Sequence, residues 1–148
     1  MTRAPVPALA VGLALALAGC ASSREPAETP DGAALDVAAL VRQNASEEAG
    51  ALAGGATAPR RQALWGDAIE AADEAHRTVP SSTDAKPPLL LAAAASTDAA
   101  QALALGDPGE ARAQLTRAHY LLDQVADALS GRVPGRSDLL ARLREPLG

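Results

Sequence analysis

This chain has almost no aromatic residues from which to build a core. Of 148 residues, the aromatics are Trp65 and Tyr120, and there is no phenylalanine. Any interior must be assembled from Leu, Val and Ala. Small side chains of that kind favour closely packed helices. The same scarcity disfavours a carbohydrate cleft or a single-strand binding surface, since both rely on aromatic stacking platforms. The formal net charge of −5 argues against a nucleic-acid partner, which would require a basic face. It also gives no electrostatic help in lying on anionic lipid. The cations are almost all arginine, with Lys86 the single lysine.

Apolar periodicity gives four helices and a short fifth. The first is expected over about 32–52, with Asp31 as N-cap, Leu35, Ala38, Ala45, Ala49 and Leu52 near one face, and Leu40 and Val41 beside it. The second runs over about 59–79, capped by Thr57 with Pro59 in its first turn. Trp65, Ile69, Ala72, His76 and Val79 recur at helical spacing and predict its buried stripe, with Trp65 as core anchor. Asp73 and Arg77 stand i,i+4 in the favourable order. Residues 80–88 (PSSTDAKPP) read as a loop.

The third helix, about 88–105, is apolar almost all round. This predicts a central, largely buried element, a membrane span being the rival reading. The fourth has the clearest signals. Asp107 and Glu110 form a capping pair with Pro108 at the first helical position. Ala111, Leu115, Ala118, Leu122, Val125 and Leu129 form a sustained stripe, and Gly131 terminates the helix. Ser137 then caps a short fifth helix to about 144 whose inner face is Leu139, Leu140 and Leu143. The fold class expected is all-α, an antiparallel bundle of four helices plus a short fifth, over residues 32–146.

Near the N-terminus, Arg3 precedes the apolar run Ala8–Ala18, too short to span a bilayer and of the length of a secretory h-region. Leu17-Ala18-Gly19-Cys20 follows. This resembles the lipobox of bacterial lipoproteins: aliphatic, small, small, cysteine. The resemblance implies cleavage before Cys20, lipidation of its thiol, and a mature chain held at a membrane in the cell envelope. Residues 1–19 are then signal peptide and 20–31 the lipidated cysteine with a flexible tether. Cys20 is the single cysteine, so its lipidation leaves no intrachain disulfide. Position 21 is Ala, not the Asp that favours inner-membrane retention in enterobacteria-like lipoproteins. The resemblance thus leans to the outer membrane where there are two.

A second resemblance covers one hairpin. Over about 99–118, Gly106, Ala111, Leu115 and Ala118 are similar to the turn and second helix of a tetratricopeptide repeat. The aromatics of that repeat's first helix are absent, and Asp123 stands where a Pro closes the unit. No second copy occurs at a 34-residue period.

Candidate chemistry is sparse. Gly50, Gly54 and Gly55 have the spacing of a phosphate loop, but Ala56 stands where the Lys would be and no strand precedes them, so they read as a Gly/Ala linker. His76 with Asp73, and His119 with Asp123, each place two possible metal ligands on one face without a third. Glu47-Glu48 reads as a polar helix face. Asn44-Ala45-Ser46 fits a glycosylation sequon that a bacterial lipoprotein would not normally use. No nucleophile–base arrangement is visible, and no catalytic, cofactor or metal residue is assigned. The function expected is a lipid-anchored, non-catalytic envelope protein that presents a helical surface to another envelope protein. The alternative is a periplasmic ligand-binding or sensor bundle with a pocket between helices.

Overall fold

The computed structural model describes residues 29–148, and the architecture there is all-α. The lipobox, the signal segment and most of the expected tether lie outside the described residues. The helices are α1 (Pro30–Gly54), α2 (Ala58–Thr78), α3 (Lys86–Leu105), α4 (Pro108–Leu129) and α5 (Ser137–Arg144). α1 packs against all four others. α3 lies between α2 and α4, and α5 rests on α1 and α4. The result is an antiparallel bundle with a short fifth helix, as the periodicity predicts.

The helix starts follow cap chemistry. Thr57 caps α2 by accepting from the Arg60 amide at 3.3 Å, and Asp107 caps α4 by accepting from the Glu110 amide at 3.0 Å. Two expected caps are displaced. α1 starts earlier, with Thr29 accepting from the Gly32 amide at 3.0 Å and Pro30 in the first turn. A proline there presets φ and loses no intrahelical hydrogen bond, so Pro30 and Asp31 belong to the helix and not to the tether. Ser137 is the first residue of α5, and Arg136 stands at its N-cap without a side-chain cap bond. α3 starts at Lys86, two residues before the expected proline. Between α3 and α4, Gly106 adopts φ 77°, and the amide of Asp107 returns to the carbonyl of Ala102 at 2.8 Å. This is a left-handed helix end that favours glycine.

The predicted stripe of α4 is buried at every position, from Ala111 to Leu129. The predicted stripe of α2 is not. Its buried residues are Leu64, Ala68, Ala71 and Ala75, one position ahead of the expected series; of that series Val79 is buried at the C-cap, Ala72 and Trp65 are half-buried, and Ile69 and His76 are exposed. Both series have helical period, and the smaller side chains face inwards because α2 approaches its neighbours closely. Asn44 of α1 donates to the Asp67 carbonyl of α2 at 3.2 Å, and Thr97 of α3 donates to the Ala68 carbonyl at 3.3 Å. Bulky Trp65 and Ile69 would hold the backbones too far apart for such bonds. Arg77 pairs with Glu74, not Asp73.

Among the described residues, α3 is the one helix long and apolar enough to cross a membrane. Half of its most apolar window is buried against α1, α2 and α4, while Leu91 and Leu105 are exposed. It is therefore a core helix with one open face rather than one buried all round.

Candidate functional site

Two places in the bundle depart from simple apolar packing. The first is a polar seam between α1, α2 and α3. Glu48 belongs to the inward series Ala34, Ala38, Val41, Ala45, Glu48 and Leu52, so helical geometry carries a carboxyl group into the interior. Its side chain is fully buried. Ser96 Oγ donates to Glu48 Oε1 at 2.9 Å, and Glu48 Oε2 has no hydrogen-bond partner. Burial in this dry setting pushes the Glu48 carboxyl up from its ordinary 4.5 to about 8. The Ser96 hydrogen bond pulls the other way, and neighbouring Glu47 adds a further small rise. Glu48 therefore sits as a neutral acid at pH 7. The expected polar face at Glu47-Glu48 is corrected: Glu47 pairs with Arg60 at 2.7 Å at the surface, and Glu48 points inwards. Asn44 is buried in the same seam.

The second place is a groove of about 600 Å³ between α1 and α4, closed along one side by residues 146–148. That volume falls in the range of small-molecule sites. The floor is Ala49, Gly50 and Ala53 of α1; the facing wall is Arg112, Leu115, Thr116 and His119 of α4. The C-terminal segment is held by one residue of α1. Arg42 donates to the carbonyls of Arg142 and Pro146 and lies 3.7 Å from Glu145 Oε2. The Arg142 carbonyl also accepts from the Glu145 amide at 3.2 Å, so Arg42 ties the end of α5 and the segment beyond it to α1. Leu147 then packs with Ala45, Ala49, Leu52, Ala99 and Leu115. Further pairs fasten α5 itself: Arg136 with Asp36, and Arg144 with Asp127.

The sequence candidates are distributed as follows. Cys20 lies outside the described residues. His119 Nε2 is 3.8 Å from Asp123 Oδ2, and its Nδ1 is enclosed without a partner on the groove wall. His76 is solvent-exposed on α2 and joins no ion pair with Asp73 among the described residues. No group of three His, Cys, Asp or Glu that could hold a metal occurs among the described residues. Gly50 and Gly54 lie within α1, so the phosphate-loop spacing falls on a helix and the expected linker shrinks to Gly55–Thr57. Asn44 of the sequon is buried, with its amide engaged. Tyr120 is exposed at the edge of the α4 stripe.

Sequence reasoning missed Glu48 and the groove. The 4-3-4-3-4 series on α1 could have revealed Glu48. The groove depends on where Pro146 and Leu147 dock, for which no local signal exists.

Comparison with protein families, with curated proteins and with solved structures finds no match.

Proposed function

We propose that this chain is a lipid-anchored protein of the cell envelope that works without catalysis, by presenting its helical surface to another envelope protein. The observation that carries this reading is Leu17-Ala18-Gly19-Cys20, followed nine residues later by Thr29, the cap of the first helix. A segment of nine residues reaches at most about 30 Å when extended, which would keep the bundle close to the bilayer. Two or more acyl chains on one cysteine anchor stably, at about 0.8 kcal/mol for each buried CH₂. Ala21 favours the outer membrane where there are two. The surface offers dispersed apolar side chains, Leu40, Ile69, Leu91, Leu105 and Tyr120, on all four long helices. Nucleic acid is not a partner on this reading, given the acidic body.

Mass spectrometry of the mature protein tests the anchor. The expected result is a new N-terminus at Cys20 carrying a diacylglyceryl group. Cys20→Ser should leave uncleaved or soluble precursor, and unchanged membrane fractionation of that variant would overturn the reading. Crosslinking in the native cells, followed by pull-down, should recover an envelope protein.

A second reading, a bundle that binds a small molecule, is favoured by the groove between α1 and α4. There the exposed side chain of Arg112 meets the apolar surface of Ala49, Ala53 and Leu115.

A further inference from the structure

Gly50, like Gly54, is a glycine of α1 with open space where a Cβ would stand. It lies inside α1, where glycine is the poorest helix former after proline. A Cβ built on it would meet nothing within 4 Å, so no neighbouring helix requires its small size. Gly50 lies on the groove floor. The missing side chain therefore leaves the groove open and does nothing for the packing of the bundle. Ala49 and Ala53 extend the same shallow, apolar trough.

The charge of the groove is also distinct. The chain as a whole is acidic at −5. In the groove, Arg112 and His119 are the only ionisable side chains, and no Asp or Glu side chain lines it. Arg112 joins none of the ion pairs among the described residues. His119 Nδ1 is enclosed by protein and does not open onto the groove, so Arg112 is the groove's one cationic contact for a ligand. An apolar trough with an unpaired guanidinium at its wall complements a molecule with an alkyl chain and an anionic head.

We propose that the α1–α4 groove binds a single-chain alkyl carboxylate, its chain along Ala49, Gly50, Ala53 and Leu115 and its carboxylate at Arg112. The proposal rests on the second reading, that the bundle holds a small molecule. Leu147 of the C-terminal segment supplies the remaining apolar side of the site.

Titration calorimetry with dodecanoate, below its micellar concentration, provides the test. The protein is the full chain carrying Cys20→Ser, so that no acyl group of its own competes. Dodecanol and dodecyltrimethylammonium are the neutral and cationic comparators. Residues 1–28 are common to all variants, so differences between variants report the groove. Dodecanoate is expected to bind best. Gly50→Leu, whose Cβ has open space and whose longer side chain projects into the groove, should weaken it tenfold or more while the thermal melt holds. Arg112→Gln should weaken dodecanoate about tenfold and leave dodecanol unchanged. Equal binding of all three probes, unaffected by Arg112→Gln but lost in Gly50→Leu, would overturn the carboxylate and leave a ligand-binding bundle. Binding of every probe unaffected by Gly50→Leu would overturn both. Capture only by vesicles containing phosphatidylglycerol, with no binding of free dodecanoate, would also overturn the proposal.

Discussion

α1 and α4 turn inward-facing residues to the core at the same spacing, 4-3-4-3-4, and fill it differently. On α4 the series is Ala111, Leu115, Ala118, Leu122, Val125 and Leu129, apolar throughout and buried throughout. On α1 it is Ala34, Ala38, Val41, Ala45, Glu48 and Leu52, with a buried acid as the fifth member and a half-buried leucine as the sixth. Both helices have proper N-caps, so local signals do not separate them. The difference lies in what each supports. The α4 series is dry packing, whose worth scales with apolar area removed from water. The α1 series ends beside a polar seam and a groove, where the helix carries a neutral acid and an unneeded glycine. Departures of this kind from local consistency concentrate at functional positions in natural proteins.

The largest expected effect belongs to the dry side. Leu122 is fully buried in the middle of the α4 stripe, in a core with few large side chains. Leu122→Ala should cost about 2–5 kcal/mol in a urea melt. Arg117 is exposed on the same helix, and Arg117→Ala should stay within about 0.5 kcal/mol. Equal costs would mean that α4 is not the dry face of the comparison.

The polar seam should respond to pH where the α4 stripe does not. Unfolded, Glu48 titrates near its ordinary 4.5; folded, near 8. Between those values the folded state holds a proton that the unfolded state has released. The contribution of Glu48 is thus fully present below 4.5 and is lost as pH rises towards 8. The slope is up to about 1.4 kcal/mol per pH unit across that window. Glu48→Gln keeps the size and can still accept from Ser96 without titrating. It should raise stability at pH 7 by about 1–3 kcal/mol and flatten this part of the profile. Chemical denaturation at pH 5, 6, 7 and 8 separates the two. Parallel profiles for wild type and variant would remove Glu48 from the interior.

Legibility in the sequence followed the same division. Helix number, the caps of α2 and α4, and the entire α4 face could be read because cap residues and large apolar side chains carry local, independent signals. The face of α2 could not. Trp65 and Ile69 are the bulkier side chains and read as anchors, yet alanines win where two backbones must approach for Asn44 and Thr97 to reach carbonyls of α2. Glu48 was hidden for a related reason. An acid beside another acid reads as solvent-facing, and only the partner helix, through Ser96, shows which of the two turns inwards. The groove was least legible, since it exists only once Arg42 has fastened the end of α5 across about a hundred residues of chain.

The smallest expected effect compares two glycines, one from each side of the molecule. Gly106 ends α3 at φ 77°, a conformation that an L side chain adopts only with strain. Gly106→Ala should therefore destabilise the α3–α4 hairpin by about 1 kcal/mol. Gly50 has no positive φ, sits inside α1, and has open space where a Cβ would stand. Gly50→Ala should stabilise by about 0.5–1 kcal/mol, from the lower backbone entropy of alanine in the unfolded chain. The same substitution thus has opposite signs at the two sites, and paired urea melts read both. A loss of stability at Gly50 would show that the fold does need a glycine there. The groove floor would then be ordinary packing, and the contrast between α1 and α4 would narrow to Glu48 alone.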